Sequence, residues 1–399
     1  MPPPSRRELR SLVRKLGGNA RPAQQKQALP TILGASRGAD SQAAIGAAGA
    51  VPLLIQLLGP GEVQANAAGA LQNLASHADN AVTIAAAGAI PPLVQLLGPR
   101  SLAAVHREAA GALMNLAYIH ADNKVAIAAA GAIPPLVQLL GPDSSAEVQE
   151  NAAGTLANLA DDADYAVTIA AAGAIPPLVQ LLGHSSPADV QAKSAGALWS
   201  LAYNDEIAVM IAAAGAIPPL VQLLGRASPP EVQGSAAGAL ANLAANAEAA
   251  VAIAAAGAIP PMVQLLGPNF SAEVQESAAG ALRNLAVNAE DAVTVTAAGT
   301  IPPLVQLLGP ASPFEVQVIA TRALQQLAAN AKNAVTIAAA GAIPPLTQLL
   351  KPGSDATTVL AAAAALEAIR TGIAANRAAL ASSKASANVP QEEMKGLGI

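Results

Sequence analysis

Apolar positions recur along this chain with the spacing of short helices. In residues 166–207, an apolar run predicts a helix that ends at Gly173, a residue able to take the left-handed conformation after a helix. Pro176 and Pro177 then favour the first turn of a second helix, where a missing N–H carries no penalty. Apolar residues three to five positions apart from Val190 to Leu201 predict a longer third helix. No segment shows sustained alternation typical of a strand, so we predict no sheet.

The three-helix pattern is repeated at a fixed period. The phrase Ala-Gly-Ala-Ile-Pro-Pro-Leu-Val-Gln-Leu-Leu occurs seven times with small changes; its glycine returns after one step of 43 residues and then every 42. A looser copy lies 39 residues before the first of these. The glycines at this position are Gly49, Gly88, Gly131, Gly173, Gly215, Gly257, Gly299 and Gly341. A fixed period in this range predicts a stack of similar units rather than one globular core.

The period divides the chain into three parts. Residues 1–41 look like a worn, basic copy, because a terminal unit faces water on one side. Residues 42–375 form the regular array, and residues 376–399 combine a last half-repeat with a loose tail. We expect repeats near 42–80, 81–123, 124–165, 166–207, 208–249, 250–291, 292–333 and 334–375.

The period near 42, the three helices and the phrases AGAIPPLVQLL and EVQ…AAGALxNLA resemble the armadillo repeat family over residues 42–375. The pattern is similar to armadillo arrays in vacuolar scaffolds and beside plant U-box domains, and more distantly to importin-alpha. The resemblance implies an all-α, right-handed superhelical solenoid of about eight repeats with degenerate terminal caps. It also implies that the third helices line a concave groove.

Composition excludes several kinds of chemistry. Hydrophobic residues make up 53% of the chain but aromatic residues only 2%, which suits thin helices packed closely. The absence of cysteine excludes disulfides, thiolate metal sites and a catalytic cysteine. Pro2 excludes N-myristoylation, and the N-terminal residues lack an apolar signal core, so we expect no lipid anchor and no secretion. We therefore expect a cytoplasmic protein, with the nucleus as the alternative.

An uncharged stretch from Ala249 to Ala272 is long enough to span a bilayer. Gly257 and the pair Pro260-Pro261 interrupt it, and equivalent stretches recur in every repeat. We therefore predict no membrane span.

No catalytic or metal-binding constellation is evident. None of the four histidines, His77, His106, His120 and His184, has a histidine or carboxylate three or four residues later, and we expect His77 and His120 to be exposed in turns. A G-x-S-x-G match around Ser36 lacks the preceding strand that a nucleophile elbow requires. We predict no enzyme activity, no metal and no cofactor.

One position of the third helix recurs as asparagine and carries the first candidate binding residues. An asparagine amide offers the donor and the acceptor that an extended peptide backbone needs. The alternative is that each amide ties neighbouring repeats together, and both roles can coexist. The row consists of Asn73, Asn115, Asn158, Asn242 and Asn284, with Ser200, Gln326 and Ala368 at the equivalent positions and Trp199, the only tryptophan, beside Ser200.

Four residues before each asparagine, and before Ser200, the chain has glycine. Such glycines cost roughly 1 kcal/mol each in a helix, which predicts close approach of another backbone, either a neighbouring helix or a ligand. Nuclear-import adaptors of this family carry tryptophan there, so this feature departs from theirs. The glycines are Gly69, Gly111, Gly154, Gly196, Gly238 and Gly280.

Acidic residues mark the start of most third helices. They compensate the helix dipole, and Ser144, Ser228 and Ser312, each three residues before a glutamate, predict capping boxes. If the acids also border the groove, the partner is an extended basic or amphipathic peptide. Nucleic acid is not expected, because no basic stripe follows the repeat. The acids are Glu62, Glu147, Asp189, Glu231, Glu273 and Glu315.

These features favour a non-catalytic scaffold or adaptor that binds an extended segment of a partner protein. Three alternatives remain: a nuclear-import cargo adaptor, the substrate-recognition part of a U-box ubiquitin ligase, and a structural subunit of a larger assembly. The basic segment from Arg6 to Lys15 is either an amphipathic capping helix, a segment that occupies the chain's own groove, or a signal for an import receptor.

Overall fold

The computed structural model describes residues 4–17, 20–287, 289–351 and 354–387, and over these residues the regular structure is helical without any strand. The chain divides into two compact units, residues 1–219 and residues 220–399. The division falls within one short helix, and we describe each unit separately.

The first unit begins with two helices of the worn N-terminal copy and continues in sets of three. Its helices are α1 (Arg6–Arg14), α2 (Pro22–Ala35), α3 (Ala39–Ala47), α4 (Ala50–Gln56), α5 (Gln64–Ala75), α6 (Ala78–Ala86), α7 (Ile90–Gln95), α8 (Ala103–Ile119), α9 (Ala121–Ala129), α10 (Ile133–Leu139), α11 (Ala146–Leu159), α12 (Ala163–Ala171), α13 (Ile175–Leu181), α14 (Ala188–Leu201) and α15 (Asp205–Ala213), followed by α16 (Ile217–Leu223), which contains the division.

The second unit continues the same order of short, short and long helices. Its helices are α17 (Pro230–Leu243), α18 (Ala247–Ala255), α19 (Ile259–Leu265), α20 (Ala272–Leu285), α21 (Ala289–Ala297), α22 (Ile301–Gln306), α23 (Phe314–Ala328), α24 (Ala331–Ala339), α25 (Ile343–Gln348) and α26 (Ala356–Ala387).

The joint between the first and second helices has one geometry throughout. All eight phrase glycines have positive φ, from 77° at Gly49 to 84° at Gly173. A side chain in this left-handed region would clash with the following carbonyl, which explains why glycine recurs there. The prolines lie in the first turn of the second helix, as at α13. These predictions from sequence are confirmed.

The third helices pack side by side and form the core of each unit. In the first unit α5 contacts α2 and α8, and α11 contacts α8 and α14; in the second unit α20 contacts α17 and α23, and α23 contacts α26. Their apolar stripes are fully buried, as at Leu156 and Leu159 of α11. Burial of each such leucine contributes about 1.5–3 kcal/mol, so the stack is held by many equivalent contacts.

A glutamine near the start of the third helix joins it to the end of the second helix. The Nε2 atom of Gln191 donates to the Gly183 carbonyl at 2.9 Å, and that of Gln275 donates to the Gly267 carbonyl at 2.8 Å. His106 takes the same place, with its ring Nε2 2.9 Å from the Gly98 carbonyl oxygen. These bonds satisfy carbonyls that a helix end leaves free, and they explain the glutamine of the repeated EVQ phrase.

The predicted capping boxes at the third helices are wrong. Helix α17 follows Pro229, and α23 follows Pro313, neither of which caps through a side chain. Pro229 itself has the extended backbone of an N-cap, at φ −60° and ψ 155°, so the serine lies one residue too early. Helix α11 likewise follows Ser145 rather than Ser144, with no side-chain cap bond.

Helix α1 closes the N-terminal end of the first unit. Leu9, Val13 and Leu16 are buried, and α1 contacts α2 and α3. The arginines from Arg6 to Arg14 are exposed on its other face. This arrangement is the amphipathic capping helix of the first interpretation, because the apolar face is already occupied by the stack.

The C-terminal helix α26 is continuous through residue 376, so the predicted half-repeat forms part of this helix rather than separate elements. By length and composition alone, Ala356–Ser382 is the one straight helix among the described residues that qualifies as a membrane span. A third of its qualifying window is buried, and α26 packs on α23 and α24. Two pairs of bent helices qualify only if each pair counts as one membrane span. One pair is α18 with α19, which are bent by 89° and lie in the uncharged stretch that we predict not to cross a membrane.

Candidate peptide-binding surface

The predicted asparagine row lies on one face of the third helices in each unit. We call this face the third-helix surface; it is formed by α5, α8, α11 and α14 in the first unit and by α17, α20, α23 and α26 in the second. All members of the row are half-buried, which leaves part of each side chain open to solvent. They are Asn73, Asn115, Asn158 and Ser200 in the first unit and Asn242, Asn284, Gln326 and Ala368 in the second.

The asparagine amides tie neighbouring third helices together. The Nδ2 atom of Asn115 donates to the Gln72 carbonyl at 2.9 Å, and that of Asn158 donates to the Met114 carbonyl at 3.1 Å. In the second unit, Asn284 Nδ2 donates to the Ala241 carbonyl at 2.8 Å.

Asn73, which is the first member of the row, and Ser200, which replaces the asparagine, have side-chain partners. Asn73 Nδ2 lies 3.1 Å from Ser36 Oγ, and Ser200 Oγ lies 3.2 Å from the Asp161 carboxylate. The stack-tying role is therefore confirmed for the asparagines with these bonds. The Nδ2 atoms of Asn115, Asn158 and Asn284 each carry a second hydrogen, so a role in peptide binding stays a prediction.

The glycine row accommodates side chains of the adjacent third helices. A Cβ at Gly111 would lie 2.3 Å from Gln72 Nε2, and one at Gly154 would lie 2.5 Å from Met114 Sδ. The prediction of an approaching backbone is wrong in this detail, because side-chain ends rather than backbone atoms fill the space. At Gly280 the nearest atoms are 4.0 Å away, so there the glycine leaves a shallow opening.

Three ion pairs involve charged side chains of the first unit. Lys26 forms an ion pair with Glu62, Arg107 with Glu108 at 2.6 Å, and Lys124 with Asp161 at 2.7 Å. The hydrogen bond from Lys26, and then its charge, lower the pKa of Glu62. The predicted groove acids Glu147 and Asp189 are exposed in the first turns of α11 and α14.

Like charges cluster on the third-helix surface of the second unit. Partial burial, and then the carboxylates of Glu315 and Glu273, raise the pKa of Glu276. Partial burial, and then the guanidinium of Arg322, lower the pKa of Arg283. The predicted acids Glu231 and Glu273 are exposed at the starts of α17 and α20.

The recurring pattern does not identify Glu276, Arg283 and Arg322 as site residues. Both arginines are departures from the repeat, and Glu276 has a glutamate counterpart only at Glu150. One signal was available: Arg322 stands four residues before Gln326, where six other repeats have glycine.

The histidines and Ser36, which the sequence offers as candidates for catalysis or metal binding, do not come together in a catalytic or metal-binding arrangement among the described residues. His77 and His120 are half-buried rather than exposed in turns, because they occupy the position before α6 and α9 and each has one buried ring nitrogen. His184 is exposed. Ser36 is buried at the end of α2 and donates to the Leu33 carbonyl at 2.9 Å. No group of three metal-ligating side chains occurs in the part of the chain that the structure describes.

The sequence profile of the family described as Armadillo/beta-catenin-like repeat matches the chain eight times. The matched residues are 39–76, 77–118, 120–161, 162–203, 204–245, 246–287, 288–329 and 330–367. These matches begin a few residues before the repeats that we place from the phrase, and they follow the same period. No curated protein matches the sequence significantly.

Solved structures of engineered proteins are similar to this chain. One crystal structure of an engineered protein is 36% identical, covers 91% of this chain and 88% of its own, and has a TM-score of 0.76. A designed armadillo repeat protein is 35% identical over 60% of this chain and 99% of its own, with a TM-score of 0.54. The three-helix period, the left-handed glycine joint and the matches to the profile lead to one conclusion: the chain belongs to the armadillo repeat family.

Proposed function

We propose that this chain is a non-catalytic scaffold or adaptor that binds an extended segment of a partner protein on its third-helix surface. The main support is the half-buried row, which supplies one partly solvent-accessible polar side chain in the same register in every repeat except the last, where Ala368 stands. The family membership supports the broader role, because armadillo repeats commonly serve protein interaction.

The spacing of the row suits an extended guest. Packed helices lie about 8–10 Å apart. An extended chain advances about 3.3–3.6 Å per residue, so successive repeats meet every second or third residue of the guest.

The charge of the surface favours a guest with basic residues. Exposed carboxylates stand in the first turns of the third helices, including Glu147, Asp189 and Glu273. Acidic groups of this kind speed encounter with basic segments and fix their register more than they raise affinity.

The test is selection of a random 12-residue peptide library on the full chain, followed by affinity measurements on the enriched peptides. The asparagines are unsuitable for mutation, because their amides hold the stack. We use Glu147→Lys with Asp189→Lys instead, which we expect to weaken basic peptides about tenfold or more.

The matched control reverses the charge of two acidic residues in the first turns of first helices, through Asp164→Lys and Glu248→Lys. It should leave the affinities for the basic peptides unchanged. The control carries the same helix-dipole cost as the test variant. Failure to enrich any peptide, or equal loss in test and control variants, would contradict the proposed function.

A nuclear-import cargo adaptor is the second candidate, and the exposed acids favour it. Glycine instead of tryptophan in the glycine row argues against it, and Trp199 lies at a different position of its helix. Fluorescence anisotropy with a lysine-rich peptide tests the import role: an import adaptor should bind it saturably, and the absence of saturable binding excludes that role.

A further inference from the structure

Arg283 of α20 and Arg322 of α23 occupy positions on the third-helix surface of the second unit that other repeats fill differently, and the charge of Arg322 acts on Arg283. At two places in the first unit, the residue before the asparagine reaches over the glycine of the next third helix: Gln72 reaches over Gly111, and Met114 over Gly154. The separation of 39 residues between Gln72 and Gly111 also relates Arg283 to Arg322. Here both members of the pair are arginine, and the glycine that usually makes room is absent.

The position of Arg283 is fixed by its neighbours. Its Nε and Nη2 atoms donate to Asn284 Oδ1 at 3.1 and 2.9 Å. The same asparagine is held by its bond to the Ala241 carbonyl of α17. The guanidinium is therefore anchored to a neutral amide at one edge, and its remaining N–H groups are available to another acceptor.

The charge of the pair is not balanced. Neither guanidinium forms a salt bridge with any carboxylate among the residues that the structure describes. Arg283 is half-buried and Arg322 is exposed, so the two like charges lie at the boundary between protein and solvent. Their proximity is unfavourable for the free protein, and one anionic group bound beside both would remove that cost.

We infer that Arg283 and Arg322 form a binding site for the carboxylate of an aspartate or glutamate in an extended partner peptide. This inference rests on the proposed function and specifies the guest. Arginine forks match carboxylates with two parallel hydrogen bonds, which fixes the orientation of the acid as well as its position.

The surroundings define the guest further. Glu276 and Glu315 lie seven residues before Arg283 and Arg322, on the same faces of α20 and α23 and about 10 Å away along each axis. The second unit therefore offers one cationic place and one anionic place side by side. A guest with an acidic residue near basic ones is complementary to both, whereas a purely basic peptide is repelled by the arginine pair.

The test combines peptide selection with a double-mutant cycle. The random 12-residue library is selected on the full wild-type chain, and in parallel on Arg283→Gln with Arg322→Gly. That variant installs the glutamine and glycine that the first unit carries at Gln72 and Gly111, so its helices keep a side-chain pair compatible with the fold. Circular dichroism and thermal unfolding check that it folds.

We expect the wild-type selection to enrich an acidic residue among basic ones, and the variant selection to lose it. In an enriched peptide, replacing the acid by glutamine should weaken binding to the wild type about tenfold, but less than about twofold to the variant. Enriched peptides without such coupling would overturn the inference and leave the proposed function intact. Selection of no peptide would overturn both.

Discussion

The two units carry the same backbone design and differ in where charged side chains lie on their third helices. In the first unit, opposite charges form ion pairs, such as Arg107 with Glu108 and Lys124 with Asp161. In the second unit, carboxylates cluster around Glu276 and guanidinium groups meet at Arg283. The joint glycines have the same left-handed geometry in both units, so the charged side chains differ between the units without any change in the joints.

Substitution of the left-handed joint glycine should have the largest effect on stability, and it tests whether the joints of the two units are equivalent. Gly173→Ala in the first unit and Gly257→Ala in the second should each lower the free energy of unfolding by about 1–2 kcal/mol, since alanine is strained at φ near 80°. Urea unfolding followed by circular dichroism measures the loss. Gly61→Ala is the control, because nothing lies within 4 Å of its added Cβ and its φ is ordinary. Clearly unequal losses in the free energy of unfolding would show that the joints of the two units are not equivalent.

A smaller change in stability is expected in the glycine row, where the packing around the glycine differs between the two units. Gly280→Ala should raise the free energy of unfolding by up to about 1 kcal/mol, because alanine favours the helix and the nearest atoms are 4.0 Å away. Gly154→Ala should gain less or lose stability, since Met114 Sδ must move.

The matched control is Gly154→Ala in a Met114→Ala background, which copies the alanine that the second unit has at Ala241. There the change should be as favourable as at Gly280. A large gain from Gly154→Ala in the wild-type background would contradict the packing at this glycine.

The smallest effect concerns the acidic cluster and its pH dependence. The pKa of Glu276 is raised above its ordinary 4.5, so its ionised form is unfavourable in the folded state. The cost in folding free energy is full above the raised pKa, where Glu276 is ionised in the folded state, and it is absent well below pH 4.5, where Glu276 is protonated in both states.

Glu276→Gln should therefore stabilise the protein by about 0.5 kcal/mol at pH 7, and the gain should vanish as the pH falls below 4.5. Glu108→Gln, which breaks an ion pair, should instead destabilise at pH 7. Unfolding curves at several pH values measure both changes, and a gain from Glu276→Gln that persists at pH 3 would refute the charge-based cause.

Features that the repeat copies were predictable from sequence. The left-handed joint at Gly173 and the proline turn after it recur seven times with little change, so local preference and pattern agree. The helix starts were not predictable to the residue. A proline such as Pro229 can itself supply the extended backbone before a helix, and that choice displaces the capping serine.

The candidate site was predictable only in outline. The asparagine row was evident, but the direction of each amide depends on the distance to the preceding helix, as for Asn115 and Gln72. The meeting of Arg283 with Arg322 depends on how two third helices are aligned across 39 residues. Sequence spacing identifies such a pair only after another repeat, with Gln72 over Gly111, has shown which positions meet.

The asparagine bonds have a consequence for how such a gene changes in length. The amides of Asn115, Asn158 and Asn284 donate to main-chain carbonyls of the repeat before, and every residue type supplies such a carbonyl. A recombination that removes or duplicates one period in register therefore gives these asparagines an equivalent acceptor. Repeat number is free to drift, while an insertion out of register would misplace the acceptors of the repeat that follows.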